Sequence, residues 1–311
     1  GYDVETNVSR KYHGYDIDDD KRIVISTWQS LYKMPKKFFE DYGAVIGDEA
    51  HLFKAVSLTK IMTKLTDCKY RIGLTGTLDD SKTHKLVLQG LFGMVNKVVS
   101  TTELIERKQL ANLKVVCLNL KYPEVEAKKV YGVKYFEELE YLTQNTARNK
   151  YIRNLALALK GNTLLLFQLV EKHGEILHKL IKEKADKDRK VFFVFGGTDT
   201  DDREQIRAIT EKLDNAIIVA SFGTFSTGIN IRNLHNIVFS SPTKSPIRVL
   251  QSIGRGLRVG DNKDSATVYD LSDDLAYKGK DNFTLNHFKE RVNIYNREGF
   301  NYEIHTVNLD K

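Results

Sequence analysis

Two adjacent carboxylates, Asp48 and Glu49, follow a short apolar run over residues 44–46 and precede Ala50 and His51. In α/β proteins, loops at the carboxyl ends of parallel strands carry the functional sites. One carboxylate in such a loop can hold Mg²⁺ through its water shell while the other orients an attacking water, as phosphoryl transfer requires. This interpretation assigns Asp48 to the metal and Glu49 to the water. A solvated turn at the start of a helix is the alternative, because acidic residues are favoured there.

Hydroxyl groups follow a later apolar run, in the segment GLTGT at residues 73–77. Thr75 and Thr77 flank a glycine, and their hydroxyls can hydrogen-bond to the carboxylate loop on a neighbouring strand. An ordinary turn closed by its own threonine hydroxyls is the alternative. The position of this segment after the carboxylates favours the functional interpretation.

Two segments in the second half of the chain suit contacts with phosphate. The segment SFGTFSTGIN at residues 221–230 is rich in small and hydroxylated residues, which let phosphate approach backbone N–H groups closely. A loop without function is equally compatible with this composition. The segment QSIGRGLR at residues 251–258 places Arg255 and Arg258 three residues apart. On a helix this spacing puts both guanidinium groups on one face, able to bind one anion, although exposed helical arginines usually only add solubility.

Alternating strand and helix patterns position these segments. The first part of the chain has β-rich runs at residues 22–26, 44–47 and 71–75, with helical patterns around 36–42 and 58–65. The second part has predicted strands at residues 163–167, 191–195, 216–220, 236–239 and 266–271, and predicted helices at 174–184, 202–213, 247–257 and 285–296. Strand–helix–strand alternation predicts a parallel α/β sheet in each part.

The boundary between the two parts is expected near residue 110. A strand-like run at residues 113–121 and a helical stretch at 124–160 then lead into the second set of strands. The second part has enough predicted strands for a whole doubly wound lobe, whereas the first part has only about three.

The composition excludes several classes of protein. The 311 residues are 41% hydrophobic and 29% charged with 4 prolines, which indicates an ordered chain long enough for two domains. No apolar run approaches the roughly 20 residues of a membrane span. Cys68 and Cys117 form no CxxC pair, so neither a disulfide framework nor a zinc site is indicated. The net charge of +7 agrees with a polyanionic partner but is weak support for one.

Some histidines and aromatic residues carry weaker signals. His173 and His178 are five residues apart, a poor helical spacing for a shared metal, so we expect them to be solvated or to cap a helix. Tyr131, Tyr135, Phe136 and Tyr141 can stack on bases, but aromatic residues at helical spacing more often belong to a core.

Taken together, the segments GDEAH, GLTGT, SFGTFSTGIN and QSIGRGLR resemble motifs II, III, V and VI of superfamily 2 helicases of the DEAH type, in the same order and at similar separations. The segment ISTWQS at residues 25–30 resembles the nucleic-acid-facing segment ahead of motif II, and residues 163–170 resemble motif IV. The resemblance covers nearly the whole chain. In the segments STWQSL, NLHNIV and TVNL it extends to a bacteriophage branch of this family.

The resemblance implies an α/β fold of two RecA-like parallel-sheet lobes, residues 1–109 and 110–311, with ATP in the cleft between them and DNA or RNA across both. It also implies a role for each of sixteen residues. These are Glu49, Gln251, Arg255 and the arginine finger Arg258 for catalysis; Asp48 for Mg²⁺ through water; Asp48, His51, Gly228 and Asn230 for ATP; Thr75 and Thr77 for coupling; and Ser26, Thr27, Trp28, Gln29, Thr224 and Ser226 for nucleic acid. Many relatives carry Asp at the position of Asn230, so this chain departs from the family there.

The phosphate-binding sequence GxxxxGKS or GxxxxGKT occurs nowhere in the 311 residues. Without it, the β- and γ-phosphates of ATP lack their backbone cradle and lysine. We therefore expect the part of a helicase downstream of motif I, with a first lobe truncated on its N-terminal side. Such a fragment is expected to be inactive and to self-associate through the truncated lobe. No targeting or membrane segment is visible, so the cytoplasm is the expected location, of the host if the chain is phage-encoded.

The function expected from the resemblance is an ATP-dependent DNA or RNA helicase or translocase that remodels branched DNA or RNA–DNA hybrids. One alternative is the motor part of a restriction or repair enzyme whose nuclease lies in another region. A second is a non-catalytic scaffold that binds nucleic acid and never had a phosphate loop. A phosphate loop upstream of Gly1 would exclude the scaffold.

Overall fold

Two compact units, Gly1–Lys97 and Val98–Lys311, make up the chain. The computed structural model describes residues 3–11, 21–76, 82–228, 231–242, 253–254 and 265–309. The division lies before residue 110 because the segment after residue 98 packs with the second unit. Thr102 Oγ1 donates to the carbonyl of Glu298 at 2.8 Å, and Ile105 packs against the core of that unit.

The first unit contains two small parallel sheets and short helices. Its strands are β1 (Val8–Lys11), β2 (Ile23–Ser26), β3 (Ala44–Gly47) and β4 (Tyr70–Gly73), and its α-helices are α1 (Val4–Asn7), α2 (Trp28–Leu31), α3 (Val56–Lys64) and α4 (Lys82–Phe92). Strand β1 pairs with β2, and β3 pairs with β4. The helical pattern around residues 36–42 forms only a 3₁₀-helix, Lys36–Phe39. Because Gly47 lies opposite Gly73 in the parallel register, β3 and β4 end at the same edge.

The core of the first unit lies on one face of α3. Leu58, Ile61, Met62 and Leu65 recur at helical spacing and are all buried against Phe39. This amphipathic pattern is what made the helix predictable from the sequence.

One face of the β3–β4 sheet is exposed. Ile46 and Ile72 are partners in the register, and 65% and 47% of these residues are exposed, with Tyr70 beside them at 59%. The opposite face of the sheet packs through Val45 on the α3 core. We call Ile46, Tyr70 and Ile72 the isoleucine face.

The second unit is a seven-stranded parallel sheet between helices, with strand order β11-β5-β10-β9-β6-β8-β7 in the described residues. Its strands are β5 (Asn112–Lys121), β6 (Thr163–Phe167), β7 (Val191–Val194), β8 (Ile217–Ser221), β9 (Asn236–Phe239), β10 (Ser265–Asp274) and β11 (Tyr302–Asn308). Its helices are α5 (Thr101–Glu106), α6 (Glu124–Val130), α7 (Tyr135–Gln144), α8 (Thr146–Ala158), α9 (Glu175–Lys182), α10 (Thr200–Glu211), α11 (Phe222–Gly228) and α12 (Phe283–Glu298). The predicted parallel α/β fold is confirmed.

Strand β6 shows why this sheet is covered on both faces. Leu164 and Leu166 point into one core, and Leu165 and Phe167 point into the other. All five residues of the strand are buried, as expected for a central strand with helices on both sides. Among the described residues, no helix is long and apolar enough to cross a bilayer.

The sheet has two strands more than the five predicted for the second lobe. Strand β5 pairs with β10 on one side and with β11 on the other, so the strand-like run at the expected boundary belongs to this sheet. Strand β11 gave little signal because it is an edge strand, with Glu303 and His305 among its residues and half of Ile304 exposed.

Candidate active site

The loops that follow β3 and β4 are joined by backbone hydrogen bonds. Leu74 N donates to Gly47 O at 2.9 Å, and Ala50 N donates to Leu74 O at 2.8 Å. These bonds continue the parallel ladder beyond the Gly47–Gly73 pair. The carboxylate segment and the threonine segment therefore form one unit at the carboxyl edge of this sheet.

Glu49 has a left-handed backbone, with φ 49° and ψ 49°. This conformation costs roughly 1–2 kcal/mol for a residue with a side chain, so neighbouring contacts must hold it. Glu49 N donates to Asp48 Oδ1 at 2.9 Å, and the 3₁₀-helix Ala50–Lys54 begins directly after the turn. Asp48 is exposed and Glu49 is half-buried. The turn thus fixes the backbone from which both carboxylates project.

His51 connects the two loops through its side chain. The residue is buried, and its Nδ1 lies 3.0 Å from Thr75 Oγ1 and 3.2 Å from Glu49 Oε2. Because a carboxylate oxygen only accepts hydrogen bonds, we assign the proton to Nδ1, which then donates toward Glu49 and Thr75. His51 therefore orients the Glu49 carboxylate and ties it to the threonine loop.

The two glycines at the strand ends allow an aromatic pair to lie against them. A Cβ on Gly47 would lie 2.8 Å from the ring of Phe53, and a Cβ on Gly73 would lie 2.9 Å from the ring of Phe92. The two rings meet edge to face, with centroids 5.1 Å apart. Larger residues at either position would push these rings away from the site.

Asp48 is suited to be the protein ligand of a Mg²⁺ ion whose other ligands include phosphate oxygens. Within the described ranges, no three His, Cys, Asp or Glu side chains are grouped so that they could hold a metal ion. Mg²⁺ at nucleotide sites is usually held by one or two carboxylates, with waters and phosphate oxygens as the other ligands. One exposed carboxylate at a strand end fits that arrangement, and the assignment of Asp48 to Mg²⁺ stays a prediction.

The segment predicted to contact nucleic acid lies at the carboxyl end of β2. Thr27, Trp28 and Gln29 are exposed there, with 42% of Trp28 accessible, whereas Ser26 is half-buried. Thr27 Oγ1 lies 3.2 Å from Ser30 Oγ at the start of α2. An accessible indole and hydroxyl at a strand end suit a contact with a strand of nucleic acid, and this role stays a prediction.

The segment after β8 begins as a helix, α11, where its composition suggested a loop. Ser221 Oγ accepts from Thr224 N at 3.3 Å and lies 2.8 Å from Thr224 Oγ1, which is how serine caps a helix start. Phe222 and Phe225 anchor the helix in the core of the second unit. Thr224 is only 4% exposed.

Several predicted roles are not tested by these positions. Ser226 and Gly228 lie in α11 with Thr224, and their contacts with nucleic acid and ATP stay predictions. The predictions for Thr77, Asn230, Gln251, Arg255 and Arg258 concern residues outside the described part of the chain.

A buried ion pair connects the carboxyl ends of β9 and β10. Arg148 Nε donates to Asp273 Oδ1 at 2.7 Å, and Arg148 Nη2 donates to Asp273 Oδ2 at 3.1 Å and to the carbonyl of Ser240 at 2.8 Å. Both charged side chains are fully buried. Ser240 directly follows β9, so the pair holds the start of the segment that leads in sequence to residues 251–258.

His173 extends this network to the residue after Ser240. Its Nδ1 lies 2.9 Å from Ser241 Oγ, and its Nε2 lies 3.4 Å from Arg148 Nη1. Because a guanidinium only donates, Nε2 accepts and Nδ1 carries the proton. Burial, followed by the Arg148 charge, lowers the pKa of His173 well below its ordinary value. The expectation of a solvated His173 is wrong, because the ring is fully buried as a neutral group.

Tyr122 completes the network from the end of β5. Its hydroxyl donates to Asp273 Oδ1 at 2.8 Å. Burial and then the Asp273 charge raise the pKa of Tyr122 well above its ordinary value. Burial, the largest single influence, lowers the pKa of Arg148, but the Asp273 carboxylate and Tyr122 together outweigh burial and raise it. The network therefore contains one stable ion pair and neutral neighbours.

Sequence reasoning missed this network because its members are far apart in the chain. The one available signal is that Arg148 lies on the same face of α8 as Ile152 and Ala156, which are both fully buried. A charged residue on the buried face of a helix needs a partner.

Two protein families match the chain, in the order expected from its motifs. The family described as type III restriction enzyme, res subunit, matches residues 2–80, and the helicase conserved C-terminal domain matches residues 147–260.

Individual relatives agree with these matches. The ATP-dependent DNA helicase uvsW of Enterobacteria phage T4 is 38% identical over 304 residues, which cover 94% of this chain and 60% of the relative. The crystal structure of T4 UvsW matches with a TM-score of 0.56 at 35% identity, over 97% of this chain and 62% of that one. The ATP-dependent Type ISP restriction-modification enzyme LlaBIII, solved bound to DNA, has a TM-score of 0.65 at 16% identity, over 92% of this chain and 23% of that one, and shares the fold. The two helicase-family matches, the parallel sheet and the identity to the T4 protein place this chain among the superfamily 2 helicases, as a relative of UvsW that spans 60% of its length.

Proposed function

We propose that this chain is part of an ATP-dependent helicase or translocase that remodels branched DNA or RNA–DNA hybrids. The observation that carries the proposal is the joined pair of loops in the first unit, where Glu49, His51 and Thr75 meet at one sheet edge. The T4 relative is named an ATP-dependent DNA helicase, which supports ATP and DNA as ligands. The preference for branched DNA and hybrids is what resemblance to the family implies.

In the proposed reaction, Glu49 orients and deprotonates the water that attacks ATP. The left-handed turn and the contact with His51 hold the carboxylate in place before ATP arrives, so little reorganisation is needed during the reaction. Asp48 would hold Mg²⁺, which when bound neutralises charge on the phosphate oxygens. Arg258, with Arg255 and Gln251 beside it in sequence, is proposed to stabilise the transferred phosphoryl group, and Gly228 and Asn230 to contact the nucleotide.

Thr75 is proposed to couple the nucleotide loop to the rest of the first unit. A shift of Glu49 on ATP binding would move His51, and the hydrogen bond to Thr75 would pass that shift to the loop after β4. Thr77 is proposed to act in the same loop. Ser26, Thr27, Trp28 and Gln29 are proposed to contact the nucleic acid in this unit, and Thr224 and Ser226 in the second unit.

The 311 residues alone are expected to hydrolyse no ATP above background. They contain no GxxxxGKS or GxxxxGKT sequence, so the β- and γ-phosphates would lack their main backbone contacts. Calorimetric titration with Mg-ATP and a phosphate-release assay with single-stranded DNA test this expectation. Robust hydrolysis that DNA stimulates would overturn it.

The role of Glu49 is tested in a longer chain that supplies this loop upstream of Gly1. Glu49→Gln should abolish turnover but leave ATP and nucleic-acid binding intact, because the amide keeps the shape and cannot take up the proton. Glu40→Gln changes an exposed carboxylate of the same unit and is the matched control. Hydrolysis by Glu49→Gln within about tenfold of the unsubstituted chain would reject the assignment.

The isoleucine face supports a further part of the proposal, self-association of the 311-residue chain. Exposure of Ile46 and Ile72 on one sheet face favours burial against a second copy in water. Sedimentation should show mass that rises with concentration, and Ile46→Thr with Ile72→Thr should reduce it. Unchanged association of that variant would show that the chains associate through another surface. The bacteriophage relative makes the host cytoplasm the proposed location.

A further inference from the structure

A cavity of about 300 Å³ opens beyond the end of β10, and nothing described so far uses it. Its walls come from the segment after α6, the turn after β10 and the first turn of α12. The residues that matter here are Tyr131, Val133, Leu275, Lys280, Phe283 and Asn286. We call this cavity and its rim the aromatic cleft.

Exposed aromatic rings border the cleft. Of the rings that line the cavity, Tyr131 is 46% exposed and Phe283 is 44% exposed. Their positions are held by contacts with other rings. Tyr131 packs edge to face on Tyr277 at 5.4 Å, and Phe283 packs on Tyr135 at 6.1 Å. Large aromatic surface left in water, yet fixed in position, is suited to stacking on a flat ligand.

The floor of the cleft already carries a negative charge. Glu138 is 1% exposed, and its carboxylate accepts from Phe283 N at 2.9 Å, Thr284 N at 2.8 Å and Asn282 Nδ2 at 2.9 Å. It therefore caps α12 from another helix and occupies the donors that would otherwise attract an anion. The part of a ligand that enters the cleft must be uncharged, so a phosphate group is excluded from the floor.

The rim carries positive charge on a tight turn. Tyr277 and Lys280 exchange backbone hydrogen bonds of 3.1 Å and 3.0 Å, and the two residues between them, Lys278 and Gly279, have φ 51° and 73°. A lysine is disfavoured in this left-handed conformation, yet Lys278 occupies it and places its ammonium group 5.5 Å from the Tyr277 ring centroid. Asp281, the acidic residue in the wall, is paired with Lys289. Lys278 and Lys280 are exposed charges beside the cleft, whereas Lys128, which also lies over the Tyr277 ring, is paired with Glu124.

The cleft lies on the same sheet edge as the motif-bearing segments of the second unit. Strands β10 and β8 are separated by β9 and β6, a distance of about 14 Å at the usual strand spacing. A nucleic-acid strand that passed over the start of α11, after β8, would need only a few nucleotides to reach the end of β10. One nucleotide of such a strand has a flat, uncharged base that can enter the cleft and a phosphate that can face the lysines at the rim.

We propose that the aromatic cleft holds an unpaired nucleobase of a single-stranded nucleic acid, with Lys278 and Lys280 facing its phosphates. This inference rests on the proposed function, because it assumes that the chain binds nucleic acid. It adds a base-stacking site, outside all the residues assigned above, that selects single-stranded over fully paired nucleic acid.

Binding of a fluorescent single-stranded oligonucleotide to the 311-residue chain tests the proposal. Tyr131→Ala should weaken binding at least about fivefold, since loss of one stacked base costs that much or more. Tyr131→Phe should bind like the unsubstituted chain, because it keeps the ring. Ile209→Ala removes an equally accessible apolar side chain from α10 of the same unit and should have no effect. Lys280→Gln should weaken binding and reduce its salt dependence.

Photocrosslinking gives a second readout that does not depend on affinity. An oligonucleotide with a single 5-iodouracil should crosslink to Tyr131 or Phe283. Normal affinity of Tyr131→Ala together with crosslinks elsewhere would overturn the proposal and leave the proposed function standing. If Tyr131→Ala changes only the mass of the chain in solution, the cleft is a protein contact and the proposal is wrong. No binding of any nucleic acid by the unsubstituted chain would reject the proposed function itself.

Discussion

His51 Nδ1 lies within hydrogen-bond distance of Thr75 Oγ1, 3.0 Å away, although the two residues are 24 positions apart in sequence. The contact exists because β3 and β4 are parallel neighbours that end at the same edge, with Gly47 opposite Gly73. A buried imidazole therefore connects a carboxylate loop to a threonine loop. This relationship makes the two motifs testable as one unit.

Thr75→Val should remove the side-chain contact between the two loops and leave their backbone hydrogen bonds in place. The valine removes the hydroxyl that faces His51 and keeps the contact between His51 Nδ1 and Glu49, so we expect a loss of about 1 kcal/mol in unfolding free energy. In a longer chain with a phosphate loop, stimulation of hydrolysis by nucleic acid should fall while ATP affinity is kept. Thr75→Ser keeps the hydroxyl and is the control. Equal stimulation in Thr75→Val and Thr75→Ser would show that the contact transmits nothing.

Gly73→Ala should destabilise the first unit. The new Cβ would lie 2.9 Å from Phe92 Cγ and 3.0 Å from Ala50 Cβ, and overpacking of this kind costs about 1–3 kcal/mol. Gly90→Ala is the matched control, because that glycine lies inside α4 and a methyl group added to it would have no atom within 4 Å. It should be neutral or stabilising by up to about 1 kcal/mol. Denaturant unfolding of both variants decides, and equal stability of the two would contradict the close packing around Gly73.

The sequence was most informative where apolar strands end at small residues or motifs. Strands β3, β6 and β9 were predicted with their observed bounds, because short runs such as Ala44–Gly47 and Thr163–Phe167 are apolar throughout or end at glycine. The fold of the second unit followed from that alternation. The contact of the two site loops was expected from the order of the strands, and the pairing of β3 with β4 shows it.

Elements whose stability comes from distant contacts were missed. Helix α11 has the composition of a loop, and burial of Phe222 and Phe225 makes it a helix. The aromatic cleft depends on Glu138 capping α12, a contact across more than a hundred residues that no local pattern encodes. The Arg148–Asp273 pair likewise joins two residues that are more than a hundred positions apart in the sequence.

Arg148→Leu should strongly destabilise the second unit. It leaves the Asp273 carboxylate buried without its cation, which costs about 3–5 kcal/mol. The double variant Arg148→Met with Asp273→Leu should recover part of that loss, since it removes both charges. Lys172→Ala breaks an exposed pair with Glu140 and should cost less than about 1 kcal/mol. Equal unfolding free energies for Arg148→Leu and Lys172→Ala would show that the buried pair does not stabilise the fold.

The unfolding free energy should fall as the pH drops from about 6.5 toward 5, because of His173. Its pKa is well below the ordinary 6.5 in the folded chain, first through burial and second through Arg148. At pH values between the pKa of His173 in the folded chain and its ordinary pKa of 6.5, the unfolded chain binds a proton that the folded chain does not bind. Acid therefore favours unfolding. One such group contributes up to about 1.4 kcal/mol per pH unit. Above the ordinary pKa of histidine the contribution is constant.

The variant His173→Gln separates this effect from other titrations. Glutamine does not titrate, so its unfolding free energy should depend less steeply on pH over the same window, whatever its absolute stability. His178 contributes in the same direction, because burial and then Lys182 lower its pKa, and His178→Gln gives the size of that smaller part. Carboxylates whose pKa is lowered, such as Glu126 and Glu303, lose their charge below this window. Denaturant titrations at several pH values measure the slopes. Equal slopes for His173→Gln and the unsubstituted chain would mean that His173 binds a proton as readily in the folded chain as in the unfolded one, and would contradict the assigned hydrogen bond from Arg148.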